Sequence, residues 1–315
     1  MAFPPTAPSS RPAPGDSSIE ATLYTDPGCP WAYSAIPALR VLDWRYGSQL
    51  RWRLVLIGLT EDASRYEELG YTPLRAAVGQ LDFRRFGMPF LPQPKSRMSA
   101  TARACRAVVA ARLASPGSEW RVLRALQLAN FTTPLLLDDD DALADALRDV
   151  AGIDADEIVA RLDHPDVSAA YDRDRAEARQ AAGSPAELQG KTASVDGVVR
   201  FTAPTVVFER GEQRLVAGGF QPVEAYDVLL ANLDPSLARA AAPETPLPLL
   251  ERFTDGITTQ EVALAMAHGN DAPDVRAAEA ALLELVAGGA VTREQLGDGA
   301  VWHVRRVAAE RRLVA

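Results

Sequence analysis

The spacing of apolar and polar side chains predicts two strands separated by a helix at the start of the chain. Residues 19–25 form an apolar run typical of a short buried strand, and residues 29–46 carry apolar side chains at helical spacing. Residues 50–59 alternate at first and then become continuously apolar, which predicts a second strand. Because a helix separates the two strands, we expect them to lie parallel to each other.

Helical spacing dominates the middle of the chain, from about residue 60 to residue 182. Five segments repeat apolar residues every three or four positions, and acidic residues or serines stand near several of their starts. These segments are residues 99–113, 118–129, 140–150, 154–162 and 166–181. The acidic run at residues 138–141 fits a solvated helix start better than a metal site. The pattern therefore predicts a helical insertion.

Strand patterns return after the insertion. Residues 202–208 and 214–217 flank a turn at residues 209–212, so they predict a hairpin, and residues 221–233 predict a closing helix. The stretch from 183 to 200, just before this hairpin, is expected to form a loop or a small hairpin. Residues 19–233 are thus predicted to form one α/β domain.

The C-terminal part has a separate pattern. Residues 234–248 are rich in proline and alanine and predict a linker, after which residues 249–315 carry two helical patterns and two short strand patterns. Two helices followed by a hairpin resemble a winged helix-turn-helix. Between residues 245 and 315 there are ten acidic and seven basic residues, a net charge of −3, despite a basic tail at Arg305, Arg306, Arg311 and Arg312. We therefore expect a packing or protein-contact module, with DNA an unfavourable partner.

Composition narrows the range of partners. The chain has 315 residues, 47% hydrophobic and 24% charged, with a net charge of −9 and a pI near 5.0. A negative chain is poorly suited to nucleic acids or anionic membranes, so we expect a small molecule or a protein as partner. Residues 1–18 are predicted to be a disordered, proline-rich leader without a signal-peptide run. No segment approaches about 20 apolar residues, and a cytoplasmic location is expected.

Cys29 is the candidate reactive residue, because it stands where the first strand turns into a helix. Unpaired N–H groups and the helix macrodipole favour a thiolate there, so its pKa is predicted to fall from about 8.5 into the range of roughly 4 to 7.5. The alternative is a buried structural cysteine. Cys105 is interpreted as a core residue, or else as a remote resolving thiol. His164, His268 and His303 show no metal spacing, and no metal is expected.

Three motifs carry a resemblance to a known family. Asp26-Pro27-Gly28-Cys29-Pro30-Trp31-Ala32-Tyr33 resembles the D-P-x-C-P-W-C-Y segment of DsbA-like thioredoxin-superfamily proteins, especially the FrnE-like dithiol-disulfide isomerases. Ala203-Pro204-Thr205-Val206-Val207-Phe208 resembles their V-P-T-F-V-F strand, and Gly218-Gly219-Phe220-Gln221-Pro222 resembles their G-A-Q-P segment. The resemblance implies a thioredoxin fold with a helical insertion and a cis peptide bond before Pro204. Ala32 stands where the family keeps its second cysteine, so a disulfide within the motif cannot form.

The resemblance also implies a function. Cys29 would be the catalytic nucleophile, and Pro30, Trp31, Tyr33, Ala203 and Pro204 would bind substrate. The expected activity is thiol-disulfide exchange by a single cysteine, with no tightly bound cofactor and with a low-molecular-weight thiol, such as glutathione or an analogue, or a protein thiol as partner. One alternative is an enzyme like kappa-class glutathione transferases or hydroxychromene-carboxylate isomerases. Another is a non-catalytic binding or regulatory protein built on a redox-inactive thioredoxin fold.

Overall fold

A computed structural model describes residues 18–195, 197–269 and 271–305. The predicted leader, apart from its last residue, and the basic tail after Arg305 lie outside the described residues. The first half contains β1 (Ile19–Thr25), α1 (Pro30–Ser34), α2 (Ile36–Tyr46), β2 (Leu50–Leu56), α3 (Ser64–Glu68), α4 (Pro73–Phe83), α5 (Ala102–Ala114), α6 (Glu119–Thr132), α7 (Asp140–Leu147), α8 (Ala155–Ala160) and α9 (Pro165–Ala178). No helix in the described part of the chain is long and apolar enough to span a bilayer.

The second half contains a shorter helix and the remaining strands. Its elements are α10 (Pro185–Leu188), β3 (Thr192–Val195), β4 (Val198–Phe201), β5 (Thr205–Arg210), β6 (Gln213–Gly218), α11 (Val223–Leu233), α12 (Leu247–Arg252), β7 (Ile257–Thr258), α13 (Thr259–Met266), α14 (Val275–Ala287), β8 (Val291–Leu296) and β9 (Gly299–Val304). This order confirms the predicted α/β fold with a helical insertion.

The central sheet has the strand order β2-β1-β5-β6. β1 runs parallel to β2, as predicted, and antiparallel to β5, which forms a hairpin with β6. Six of the seven residues in β1 are buried, because this strand lies between two others and is covered on both faces. Trp52 on β2 contacts Trp120 on α6 and Phe208 on β5, so the insertion shares the core of the sheet.

Two segments, residues 183–200 and residues 60–98, refine or differ from the structure that the apolar pattern predicts. Residues 183–200 contain α10 and most of the β3–β4 hairpin, so the small hairpin is the correct alternative. The pattern gave no helix between residues 60 and 98, yet α3 and α4 lie there. The apolar side chains of α4 explain the omission: Leu74, Val78 and Leu81 are more than half exposed, so they do not form the buried stripe on which the prediction relies.

The C-terminal elements pack directly on the thioredoxin part. Strands β7, β9 and β8 form a three-stranded sheet, and buried residues of α12, α13 and α14 belong to the same apolar core as the central sheet. The strands lie at the predicted hairpin, whose turn contains Gly297. The winged helix-turn-helix assignment and the domain boundaries remain predictions.

Buried charges join α13 to the thioredoxin part. Glu261 is fully buried and accepts hydrogen bonds from Arg40 Nε at 3.0 Å and from Arg124 Nη1 at 2.8 Å. The same carboxylate accepts the backbone N–H of Thr258, whose hydroxyl caps α13 in return. Asp255 pairs with Arg40 at 3.0 Å, so the two arginines face two carboxylates. This cluster ties the C-terminal segment to α2 and α6.

Candidate active site

Cys29 lies at the junction of β1 and α1, as the sequence predicts. It is the residue that precedes α1, and its backbone carbonyl accepts the N–H of Tyr33 at 3.0 Å. Pro30 begins the helix without loss, because an N–H at that position has no partner within the helix. Only 7% of Cys29 is exposed, and its thiol donates to the Ala203 carbonyl with an Sγ to O distance of 3.1 Å.

Asp26 holds the turn that presents Cys29. One carboxylate oxygen accepts the N–H of Gly28 at 2.8 Å, and the other accepts the N–H of Leu59 at 2.8 Å and the hydroxyl of Thr101 at 3.0 Å. Asp26 is fully buried, and this burial raises the pKa of its carboxyl group despite the hydrogen bonds. A side chain at Gly28 would lie 2.4 Å from a Thr101 methyl group, so only glycine fits this turn.

The predicted fall in the Cys29 pKa is wrong. Burial raises the pKa of the thiol from 9.0 to about 12, and the negative charge of Asp26 raises it further. Hydrogen bonds from the backbone N–H groups of Ala32 and Trp31 and the charge of Arg200 act in the opposite direction, as the helix-start argument required. Removal from water outweighs these contributions, so the thiol is protonated at neutral pH in this structure.

The peptide bond between Ala203 and Pro204 is cis, the geometry that the resemblance implied. It lies just before β5, which places the Ala203 carbonyl at the sulfur of Cys29. The resemblance implied that Ala203 and Pro204 bind substrate. The Ala203 carbonyl oxygen accepts a hydrogen bond from the Cys29 thiol, and both residues are almost completely buried.

The two predicted aromatic contacts have different positions. Trp31 is 40% exposed and packs against Phe83, Phe86 and Phe220, with ring centroids 4.8, 5.7 and 5.8 Å away. It therefore forms an apolar wall beside Cys29. Tyr33 is fully buried and its hydroxyl donates to the Pro89 carbonyl at 2.7 Å, so we no longer expect it to bind substrate. The turn of α1 directs it into the core.

A cavity of about 770 Å³ lies against the Cys29 turn. Four residues around the cysteine line it, namely Pro27, Gly28, Pro30 and Trp31. Helices α3 and α4 form the opposite wall with Tyr66 and Phe83, and the β3–β4 hairpin contributes Arg200. The apolar pattern did not predict the wall formed by α3 and α4, because their side chains face a cavity and solvent instead of a core.

Cys105 is fully buried on α5, as the core interpretation expects. Its thiol lies 3.5 Å from Asp26 Oδ2, and burial raises its pKa well above the ordinary value. The two cysteines are free and do not form a disulfide. A shared proximity to Asp26 links Cys105 to the site, which its position in the sequence did not indicate.

Comparison with known proteins identifies the family. A model of the DSBA-like thioredoxin domain matches residues 21–202, which is more than half of the chain. The chain belongs to this family. No curated protein matches the chain. Among solved structures, a candidate protein disulfide isomerase from Nitrosomonas europaea is 18% identical, with a TM-score of 0.53 over 68% of this chain and 97% of that one.

Two further structures are similar to this DSBA-like chain. A candidate DsbA oxidoreductase from Streptomyces coelicolor is 17% identical, with a TM-score of 0.52 over 69% of this chain and 91% of that one. The cytosolic disulfide reductase DsbM from Pseudomonas aeruginosa is 19% identical, with a TM-score of 0.49 over 69% of this chain and 100% of that one. The likenesses to the Nitrosomonas and Streptomyces proteins show a shared DsbA-like fold.

Proposed function

We propose that this chain is a thiol-disulfide oxidoreductase or isomerase that uses Cys29 as a single nucleophilic thiol. The observation that carries the proposal is the contact between a cysteine at the start of α1 and the Ala203–Pro204 segment, with 3.1 Å from Sγ to the Ala203 oxygen. Ala32 occupies the position of a second cysteine in the motif, so the thiol that resolves the mixed disulfide must come from outside the motif. A low-molecular-weight thiol such as glutathione, or a protein thiol, fills that role.

The exchange is balanced with two external thiols. The Cys29 thiolate attacks one sulfur of a disulfide, a bond forms between Cys29 and that sulfur, and the other sulfur leaves as a thiolate. A thiolate from the partner then attacks the mixed disulfide, which restores Cys29 and yields a new disulfide. After these two steps one substrate sulfur is a free thiol and the other is joined to the first partner thiol; a second partner thiolate then displaces it, so that the substrate disulfide is reduced and the two partner thiols form one disulfide. Both described cysteines are free, which fits the reducing cytoplasm that we expect for this chain.

Because the Cys29 thiol is buried and protonated, the reaction first requires that it lose its proton. The thiol donates a hydrogen bond to the Ala203 carbonyl, and burial raises its pKa to about 12, so very little of the free protein carries the thiolate at pH 7. We expect a bound substrate to displace the Ala203 contact and leave the N–H groups of Trp31 and Ala32 to stabilise the anion. Activity would then depend on binding, while the free protein stays unreactive.

A second candidate function is an isomerase or transferase like hydroxychromene-carboxylate isomerases and kappa-class transferases. The protonated state of the Cys29 thiol favours it, because a neutral thiol can donate a hydrogen bond as a serine hydroxyl does. The cavity beside it is of small-molecule size. In this case a bound external thiol would supply the reactive sulfur, and Cys29 would only donate a hydrogen bond to it.

Substitution of the sulfur separates these functions. We would measure reduction of a glutathione mixed disulfide, with and without added glutathione, in the wild type and in Cys29→Ser and Cys29→Ala. Exchange at Cys29 predicts turnover that requires added thiol and is lost in both variants. Activity retained by Cys29→Ser and lost in Cys29→Ala would support the hydrogen-bonding role. Activity that survives in Cys29→Ala would contradict both roles of Cys29, and a rate no higher than the uncatalysed reaction in all three proteins would favour the non-catalytic binding or regulatory alternative.

A further inference from the structure

The charged side chains that line the cavity are all cationic. They are Arg65, Arg75, Lys95, Arg97 and Arg200, and the described lining residues include no aspartate or glutamate. The whole chain has the opposite bias, with 42 acidic residues against 33 lysines and arginines. A lining drawn at random from this composition would contain carboxylates. The cavity is therefore a local region of positive potential in a negatively charged protein.

Two of these cations already have carboxylate partners. Arg65 pairs with Glu68 at 2.8 Å, and Arg97 pairs with Asp138 at 2.7 Å. The exposed Arg75 contacts the Gly70 carbonyl and the ring of Tyr71. Exposed pairs and stacked arginines of this kind are common on protein surfaces and indicate no ligand.

Lys95 and Arg200 are different, because each is partly buried and contacts only neutral groups within hydrogen-bond distance. Lys95 Nζ donates to Asn130 Oδ1 at 3.1 Å and to the Leu135 carbonyl at 2.7 Å. Arg200 Nη1 donates to the Phe201 carbonyl at 2.9 Å. Neither has a carboxylate within salt-bridge distance among residues 18–195, 197–269 and 271–305. Asp138 acts on Lys95 only from farther away and is already paired with Arg97.

Burial disfavours the charged form of both side chains. Removal from water lowers the pKa of Lys95 from 10.5 to about 8, against the opposing charge of Asp138. It also lowers the pKa of Arg200, and the charge of Arg179 lowers it further, while the charge of Asp26 acts in the opposite direction. An anion bound by Lys95 and Arg200 would gain charge-assisted hydrogen bonds. These bonds would offset the cost of burying the two positive charges. The remaining walls are apolar or aromatic, with Trp31, Tyr66 and Phe83 among them, so they suit an organic body.

We propose that the cavity binds a small organic anion with an apolar body, whose acidic groups are held by Lys95 and Arg200. If Cys29 acts as proposed above, this anion is its substrate or its low-molecular-weight thiol partner, and that identification rests on the proposed function. Arg200 is close enough to influence the charge on Cys29. Four residues that flank Cys29 line the same cavity, so a carboxylate-bearing thiol or disulfide held by Arg200 would lie against the Cys29 turn.

The test uses a dye pair that contains no thiol or disulfide. The anion 8-anilinonaphthalene-1-sulfonate and the neutral N-phenyl-1-naphthylamine share an aromatic body and differ in charge, and both are small enough for a cavity of about 770 Å³. We would titrate both dyes into the wild type, Lys95→Gln and Arg200→Gln by fluorescence. Arg276→Gln is the matched control, because this arginine is exposed on α14.

The affinity for the anionic dye, divided by that for the neutral dye, is the decisive quantity, since changes in cavity shape affect both dyes. We expect this ratio to fall about tenfold in Lys95→Gln and in Arg200→Gln and to stay unchanged in Arg276→Gln. An unchanged ratio in the two cavity variants, or no binding of the anionic dye to the wild type, would overturn the proposal. Because neither dye reacts with Cys29, the result is independent of the thiol chemistry.

Discussion

Replacing Glu261 with glutamine tests whether the buried charge cluster holds the C-terminal segment on the thioredoxin part. The substitution keeps the shape of the side chain and removes its negative charge. Arg40 and Arg124 would then be left with one carboxylate, Asp255, in place of two. Since Arg40 is fully buried, its positive charge cannot be compensated by water.

The size of the effect follows from the pKa of Glu261. Its two arginine partners lower this pKa from 4.5 to about 2, against the opposing effect of burial. This lowering between the unfolded and folded states corresponds to roughly 3 kcal/mol of stability at neutral pH. Breaking a buried ion pair by removing one partner typically costs 3 to 5 kcal/mol, which is the same range. We expect Glu261→Gln to lower the free energy of unfolding by about 3 kcal/mol.

The direction of the pH dependence is also determined. Because the folded-state pKa lies below the unfolded value, the ionised carboxylate stabilises the protein fully above about pH 4.5, and this stability is lost as the pH falls toward 2. The difference between wild type and variant should therefore be smaller at pH 4 than at pH 7, by roughly 1 kcal/mol. Glutamine does not titrate, so the variant itself lacks this contribution.

Urea unfolding at pH 7 and pH 4, monitored by circular dichroism, measures the loss of unfolding free energy in Glu261→Gln and how that loss changes with pH. Glu251→Gln is the matched control, since Glu251 is exposed on α12 and its replacement should change stability by less than about 0.5 kcal/mol. A loss below about 1 kcal/mol in Glu261→Gln, or a loss that is the same at both pH values, would refute the reasoning. It would mean that the cluster is held by packing instead of by charge.

Three further predictions concern the site and its support. Alkylation of Cys29 in the free protein should be slow at pH 7 and still rise above pH 9, because burial raises the thiol pKa; Cys29→Ser subtracts any reaction of Cys105. Ala32→Cys should let the oxidised protein form a disulfide within the motif, measured as a loss of two titratable thiols, because residues three apart at a helix start are within bonding distance. Gly87→Ala should destabilise the protein by about 1 to 3 kcal/mol more than Gly211→Ala in urea unfolding. Both glycines have positive φ. A methyl group added at Gly87 would clash with the side chain of Gln260 on α13, whereas one added at Gly211 would meet no other atom.

The sequence predicted the elements that have a buried apolar pattern or a specific backbone motif. β1 and β2 are apolar on their buried positions, and the Cys29 turn and the Ala203–Pro204 segment carry motifs that depend on few residues. The helix α4 could not be predicted in this way, because its apolar side chains face solvent and its N-terminal Pro73 is a weak signal on its own. Local spacing reports burial, and α4 is not buried.

The chemistry of the site was less accessible to sequence reasoning than its position. The N–H groups at the start of α1 are a local property, and they act on Cys29 as expected. Burial is a property of the whole fold, because the Ala203 carbonyl covers the sulfur from 174 residues away. The direction of the Cys29 pKa was therefore predicted wrongly, although each local contribution had the right sign.

Asp26 acts both on the local turn and on the protonation of the buried thiol. Its carboxylate holds the turn through Gly28, Leu59 and Thr101, so it cannot be removed without loosening the position of Cys29. The same charge raises the pKa of Cys29 and of Cys105, so the support of the turn also opposes formation of a thiolate. A site built in this way keeps its thiol protonated until a ligand changes the surroundings of the sulfur. The cationic cavity is where we expect such a change to begin, because Arg200 and the residues that flank Cys29 line it together, and a ligand held there would contact the Cys29 turn.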